Sequence, residues 1–297
     1  MFDARALTGM TIMGAVAISA AVDATIVRLL AGDVHPFMMA FTRVTFGVVG
    51  ILPLIISRPS VLRSQARFAH ILRAALKLGS LVALFAALQS APIATVTAIT
   101  FAAPLFVTLG AWLFLSERPG KIRIAGLFTG FAGILVILAP AMGLGTGQAF
   151  MLALLSAFLT SAIQLMLKTM GRVDSADTLV VWNLIISIPL ALIPALLFWS
   201  TPTLAQWALL AFQGILGAYT QFGVTRALQL ADASLVAPID FLKLPFVTIA
   251  GWVFFSQIPR IESWIGAALI LLSILFLAAS SRLRGASEGA SLSDKGL

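Results

Sequence analysis

Asp240 and Lys243 stand three residues apart in a stretch that is otherwise almost wholly apolar. On a helix that spacing puts both side chains on one side, within reach of each other. An acid and a base held together away from water can exchange each other for the opposite charges of a zwitterionic ligand, at modest net cost. Asp23 and Arg43 make a second set, at similar depth on consecutive apolar runs, about 10 Å below one surface at a rise of 1.5 Å per residue. Two readings fit them: an ion pair locking one helix to the next, or an arginine that meets a substrate carboxylate beside a titrating aspartate. Thr97, Thr100, Phe101, Pro104 and Thr108 fall on one helical face, and Ala237, Asp240, Phe241, Leu244 and Thr248 repeat that face 140 positions on. The threonines also suit plain helix packing through small polar residues. Ser161, Gln164, Asn183, Gln213, Tyr219 and Gln221 are further polar candidates for the same cavity, Tyr219 because it lies mid-span instead of in the interfacial belt. Lys77 and Arg28 are placed near helix ends, where long cationic side chains snorkel, and receive no role.

Several chemistries are excluded. His35 and His70 fall on opposite sides of the expected membrane, so they cannot share a zinc ion. No Gly-Lys-Ser/Thr phosphate loop occurs, no nucleophile and base stand at matching depth, and there is no cysteine. The residues therefore point to binding and movement of a small molecule, with no cofactor and no catalysis.

What must position these residues is a membrane bundle. Of 297 residues, 60% are hydrophobic and 10% charged, with a mean hydropathy of +1.06, against about 25% charged in a soluble domain. The net charge of +8 is scattered over short loops, which argues for topology signals and against a nucleic-acid partner. Ten spans of membrane-crossing length follow, with cores at 7–29, 37–57, 69–90, 93–115, 121–140, 148–169, 178–199, 205–230, 233–256 and 260–280. Each is expected to be a helix, because backbone in lipid must satisfy its own hydrogen bonds. The first span carries Arg5 ahead and Ser19 to Ala21 behind, as a leader would, yet the first repeat needs it to reach five helices.

Ala87–Gly126 lies without a gap on Ala227–Gly266, with Gln89, Trp112 and Pro119 meeting Gln229, Trp252 and Pro259. This duplication divides the chain into a first five-helix repeat (1–142), a second (143–281) and a disordered cytosolic tail (282–297). Nearly all lysines and arginines fall on one side if both termini are cytosolic, leaving only Arg28 and Arg260 outside. A five-helix repeat, being odd, inserts its second copy upside down. The expected architecture is thus an all-α integral membrane protein of ten transmembrane helices in two inverted-topology repeats, which can open one central site to either side in turn.

Pro36 with Arg43 seven positions on, then Pro104, Ser116-Glu117-Arg118, Gly126 and Gly133 in order, resemble the drug/metabolite transporter superfamily in its ten-helix EamA branch. The likeness covers about 7–280; one departure is Gln257, where the repeat of Glu117 would place a glutamate. The resemblance implies alternating access in the inner membrane, with helices five and ten peripheral. It also implies export or exchange of amino acids and related metabolites by a monomer or weak homodimer. Uptake of S-adenosylmethionine-like metabolites and multidrug efflux are the alternatives. The substrate-binding residues expected are Lys243, Asp240, Arg43, Asp23, Thr100, Phe101, Phe241, Tyr219, Gln164 and Asn183.

Overall fold

The computed structural model describes residues 4–64, 66–115, 120–141, 146–171, 173–230 and 239–276. These form eleven helices: α1 (Ala4–Leu29), α2 (Pro36–Ser57), α3 (Arg67–Ser90), α4 (Ile93–Thr100), α5 (Ala103–Leu115), α6 (Lys121–Ala141), α7 (Gly147–Met170), α8 (Ala176–Leu197), α9 (Leu204–Leu230), α10 (Lys243–Phe255) and α11 (Ile261–Phe276). A single 3-10 turn, Pro59–Leu62, joins α2 to α3. Glu117, Asp232, Ala237, Pro238, the loop at 143–145 and the tail from 282 lie outside the described residues.

Helix starts follow local chemistry. α2 opens with Pro36, whose missing N–H costs nothing in a first turn, and His35 Nδ1 caps it by accepting from Phe37 N at 3.3 Å. Ser175 caps α8 by accepting from Thr178 N at 3.2 Å. Helix limits also recur at one offset: Pro36–Ser57 and Ala176–Leu197, and Ala103–Leu115 and Lys243–Phe255, begin and end 140 positions apart.

The expectation of one unbroken helix over 93–115 is corrected. The chain stops at Thr100, turns through Phe101 and Ala102, and restarts at Ala103. Short i→i−3 bonds make the turn, Phe101 N to Ala98 O at 3.2 Å and Ala102 N to Ile99 O at 2.9 Å. Pro104 then frees the Thr100 carbonyl, because it has no N–H to return. The same break recurs 140 positions on at Phe241 and Leu242, where Leu242 N bonds Ile239 O at 2.9 Å and Pro245 follows in the first turn of α10.

Among the described residues, six helical stretches are long and apolar enough to cross a bilayer: Leu7–Leu29, Pro36–Ser57, Arg67–Ser90, Ile93–Leu113, Gly147–Leu167 and Ala176–Leu197. Ile124–Ala139, Lys243–Phe255 and Ile261–Phe276 are apolar but shorter. α9 has the length, with 27 residues, but Gln206, Gln213, Gln221 and Arg226 dilute its hydropathy.

Packing is reciprocal. α3 lies against α7 and α1 against α9; α2 lies against α9 and α8 against α3; α5 meets α7 and α10 meets α1; α2 meets α8. Each pairing is the other's image under the 140-residue offset. α6 and α11 touch through small residues. A Cβ on Gly133 would come within 2.8 Å of the Gly266 carbonyl oxygen, and Ser273 Oγ donates to the Gly126 carbonyl at 2.6 Å. These two contacts are also images of each other, and they fit the close-packing role expected of the Gly126–Gly130–Gly133 strip. The largest apolar core joins Val27, Met38, Phe85, Ile99, Phe101, Leu105, Phe241 and Ile270.

Candidate functional site

The two helix breaks meet. Phe101 and Phe241 stack with ring centroids 3.9 Å apart and planes 15° from parallel. Both rings are buried, at 5% and 9% exposure. Lys243 is the first residue of α10, and its Nζ lies 4.2 Å from the Phe101 ring centroid. Its ammonium also donates to Asp240 Oδ2 at 2.8 Å, so the pair expected from the three-residue spacing forms. A cation at a helix N-terminus opposes the helix dipole. Asp240 and the aromatic face compensate for it. The half-helices α5 and α10 both begin here, so two positive dipole ends, a lysine and two ring faces collect at one point of contact between the halves.

The second pair also forms: Arg43 Nη1 donates to Asp23 Oδ1, linking α2 to α1. The guanidinium lies across α9, where a Cβ on Gly217 would fall 2.7 Å from Nη2, and over the Phe85 ring at 5.6 Å. Gly214 brings α9 onto α2 one turn earlier, since a Cβ there would meet Phe46 Cβ at 2.5 Å. Lys77 is not at a helix end. It sits mid-helix in α3, half-buried, and feels the charges of Arg43, Arg73 and Asp23. Arg28 bonds the Leu88 and Gln89 carbonyls at the end of α3, a structural cap for α3.

Thr100 Oγ1 donates to Thr97 O at 2.7 Å, and Thr97 and Thr108 likewise donate to their own helices, which favours packing for the threonine face. Asn183 is buried on α8, at 3% exposure. Tyr219 is 63% exposed on α9, and Gln164 is exposed on α7. Neither has a contact with the Phe101–Phe241–Lys243 cluster among the described residues. Sequence reasoning passed over Lys77, whose signal was a lone lysine ten residues beyond Arg67 within a continuous helical pattern.

The halves are tied at both ends. At the start of α3 and α8, Asp174 Oδ2 accepts from Ser64 Oγ at 2.7 Å and lies 2.8 Å from His70 Nε2. Arg73 Nη1 donates to Leu179 O at 2.7 Å. One imidazole nitrogen faces both Ser64 and Asp174, so this is not the arrangement of a hydrolytic triad, which needs one partner at each nitrogen. At the other end Gln206 Nε2 donates to the exposed Asp33 at 2.9 Å, and His35 stacks on Phe198 with centroids 4.2 Å apart. Gln257 Oε1 accepts from Ile93 N at 3.1 Å, capping α4. A cavity of 120 Å³ lies beside it, between Pro92, Thr146 and Arg260, too small for a metabolite. No group of metal-ligating side chains occurs among the described residues.

Comparison with known proteins places this geometry. The EamA-like transporter family matches twice, at residues 7–139 and 147–279. A riboflavin transporter of Rhizobium johnstonii is 38% identical over 73% of this chain and 72% of its own length. A riboflavin transporter of Vibrio cholerae is 35% identical over 80% of this chain and 81% of its own. An S-adenosylmethionine uptake transporter of Rickettsia bellii is 27% identical over 89% of this chain and 91% of its own. A crystal structure that is 21% identical superposes with a TM-score of 0.63 over 92% of this chain and 97% of the other, so the fold is shared.

Proposed function

The chain belongs to the EamA-like transporter family of the drug/metabolite superfamily, a multi-pass membrane transporter and not an enzyme, and from that premise we propose that it takes up riboflavin or a closely similar heteroaromatic metabolite. In this reading ten helices cross the inner membrane as two inverted repeats with both termini in the cytosol. The repeats exchange conformations around a central site at the two helix breaks.

The observation that carries the reading is the Phe101–Phe241 stack with Lys243 against it. A planar ring system can enter between or replace stacked phenyl faces with little loss, since offset aromatic stacking is worth about 0.5–1.5 kcal/mol wherever it forms. Lys243 and Asp240 then offer one donor and one acceptor to the polar edge of that ring. The relatives support the same direction: those at 38% and 35% identity are named for riboflavin. Uptake of S-adenosylmethionine is the second reading, supported by the relative at 27% and by carboxylates at Asp23 and Asp240 that suit a sulfonium. None of the relatives described here is named for amino acids, so amino-acid export, the first expectation from sequence, yields to uptake.

The test is counterflow in proteoliposomes with labelled riboflavin, S-adenosylmethionine and a panel of amino acids. Riboflavin counterflow is expected, and Phe101→Ala with Phe241→Ala should lower it at least tenfold. Counterflow of S-adenosylmethionine or an amino acid with none for riboflavin would overturn the assignment.

A further inference from the structure

Two buried amides and one half-buried ammonium in the bundle have no hydrogen-bond partner among the described residues. Gln213 on α9 is fully buried, and neither atom of its amide has a hydrogen-bond partner among the described residues. Asn183 Oδ1 on α8 is buried and equally unpartnered. The Lys77 ammonium on α3 makes neither a hydrogen bond nor an ion pair among the described residues. An orphaned buried polar group costs about 1–3 kcal/mol, and native structures leave few of them without a reason.

Register sets two of them at one level, and Arg43 relates the third to Lys77. α3 and α8 both start at the Ser64–His70–Asp174 cluster and run the same way, tied by Arg73 to Leu179 O. Lys77 and Asn183 each lie one turn further along, at one level. Gln213 lies one turn before Gly217, on the stripe of α9 where the Arg43 guanidinium rests. Lys77 in turn is within electrostatic range of that arginine and of Asp23.

We propose that Lys77, Asn183 and Gln213 bind a hydroxyl-rich chain on the transported molecule, while the Phe101–Phe241 pair holds its ring. The choice of ligand follows from the unsatisfied groups. A carboxylate or phosphate would satisfy Lys77 but set its oxygens against the Asn183 and Gln213 carbonyl oxygens. A chain of hydroxyls both donates and accepts at each carbon. It gives hydrogens to those two oxygens and takes them from the lysine and the Gln213 amide. The inference rests on the flavin reading above, since riboflavin joins a flat ring to a five-carbon polyol.

The experiment measures quenching of flavin fluorescence on binding to the purified full-length protein in nanodiscs. Riboflavin is compared with lumiflavin, which has the same ring and a methyl group in place of the polyol. The protein should prefer riboflavin at least tenfold. Gln213→Leu, Asn183→Leu and Lys77→Met should each weaken riboflavin about tenfold, one hydrogen bond to a charged or buried partner, and leave lumiflavin unchanged. Gln213→Leu without ligand should melt no lower than the parent protein, because it removes an orphaned amide. Equal weakening of both flavins, an unchanged preference, or a lower melting point with Gln213→Leu would overturn the assignment. A parent protein that binds the two flavins equally rejects the polyol compartment alone; one that binds neither rejects the flavin reading and this inference together.

Discussion

An arginine at 43 and an asparagine at 183 occupy matching places in the two halves, as do Lys77 and Gly217, and Arg73 and Gln213. The first half carries the cations and the second answers with amides or with space. Gly217 is where that space is used, because any side chain there would collide with the Arg43 guanidinium. The Asp23–Arg43 pair tests what these charges do. Asp23→Asn or Arg43→Gln alone should each destabilise by about 3–5 kcal/mol, the usual cost of stranding a buried charge. The double variant should melt above either single one. If instead Arg43→Gln is stable and only abolishes transport, the pair is a binding element and not a structural lock. The pairs at 23/43 and 240/243 were readable in advance because charge in an apolar run has few reasons to be there. The rotation of each helix was not: one helical turn spans every direction, so Tyr219 and Gln164 could be placed at a depth but not on a face.

At the level of helices, span limits were legible to within a few residues, because proline and glycine mark the loops. The breaks at Phe101 and Phe241 were not, although Pro104 and Pro245 stand beside them. A proline early in a helix reads the same whether the helix begins there or merely bends. Gln257 shows a different limit. It looked like a lost glutamate, yet what the position supplies is an oxygen for the Ile93 N–H at the start of α4. Gln257→Glu should therefore keep the melting temperature, whereas Gln257→Leu should cost about 1 kcal/mol, as loss of a helix cap does. A leucine variant as stable as the parent would show that solvent replaces the amide.

The whole molecule has contacts between halves at both rims, and they are not alike. A carboxylate and an imidazole are buried together at one rim, Asp174 and His70 at 8% and 0% exposure, with the half-buried Ser64 hydroxyl on both. At the other rim Asp33 is exposed and Gln206 only half-buried. In a carrier made of two identical halves, the outward-open and inward-open forms would be the same object viewed from opposite sides, equal in energy and equally populated. Any preference for one comes only from where the halves differ. If the α3 and α8 starts face the cytosol, as in the proposed reading, the buried latch is expected to tilt the balance toward a carrier that waits open to the outside. Asp174→Asn should flatten that tilt. The chain has no native cysteine, so Thr100→Cys gives a single label site at the break, and its maleimide labelling from outside should fall in the Asp174→Asn background while labelling from inside rises. Unchanged labelling would mean the rims balance. Duplication alone would have produced an impartial door; a shift in labelling would show that the unmatched residues at its edges decide which way it stands ajar.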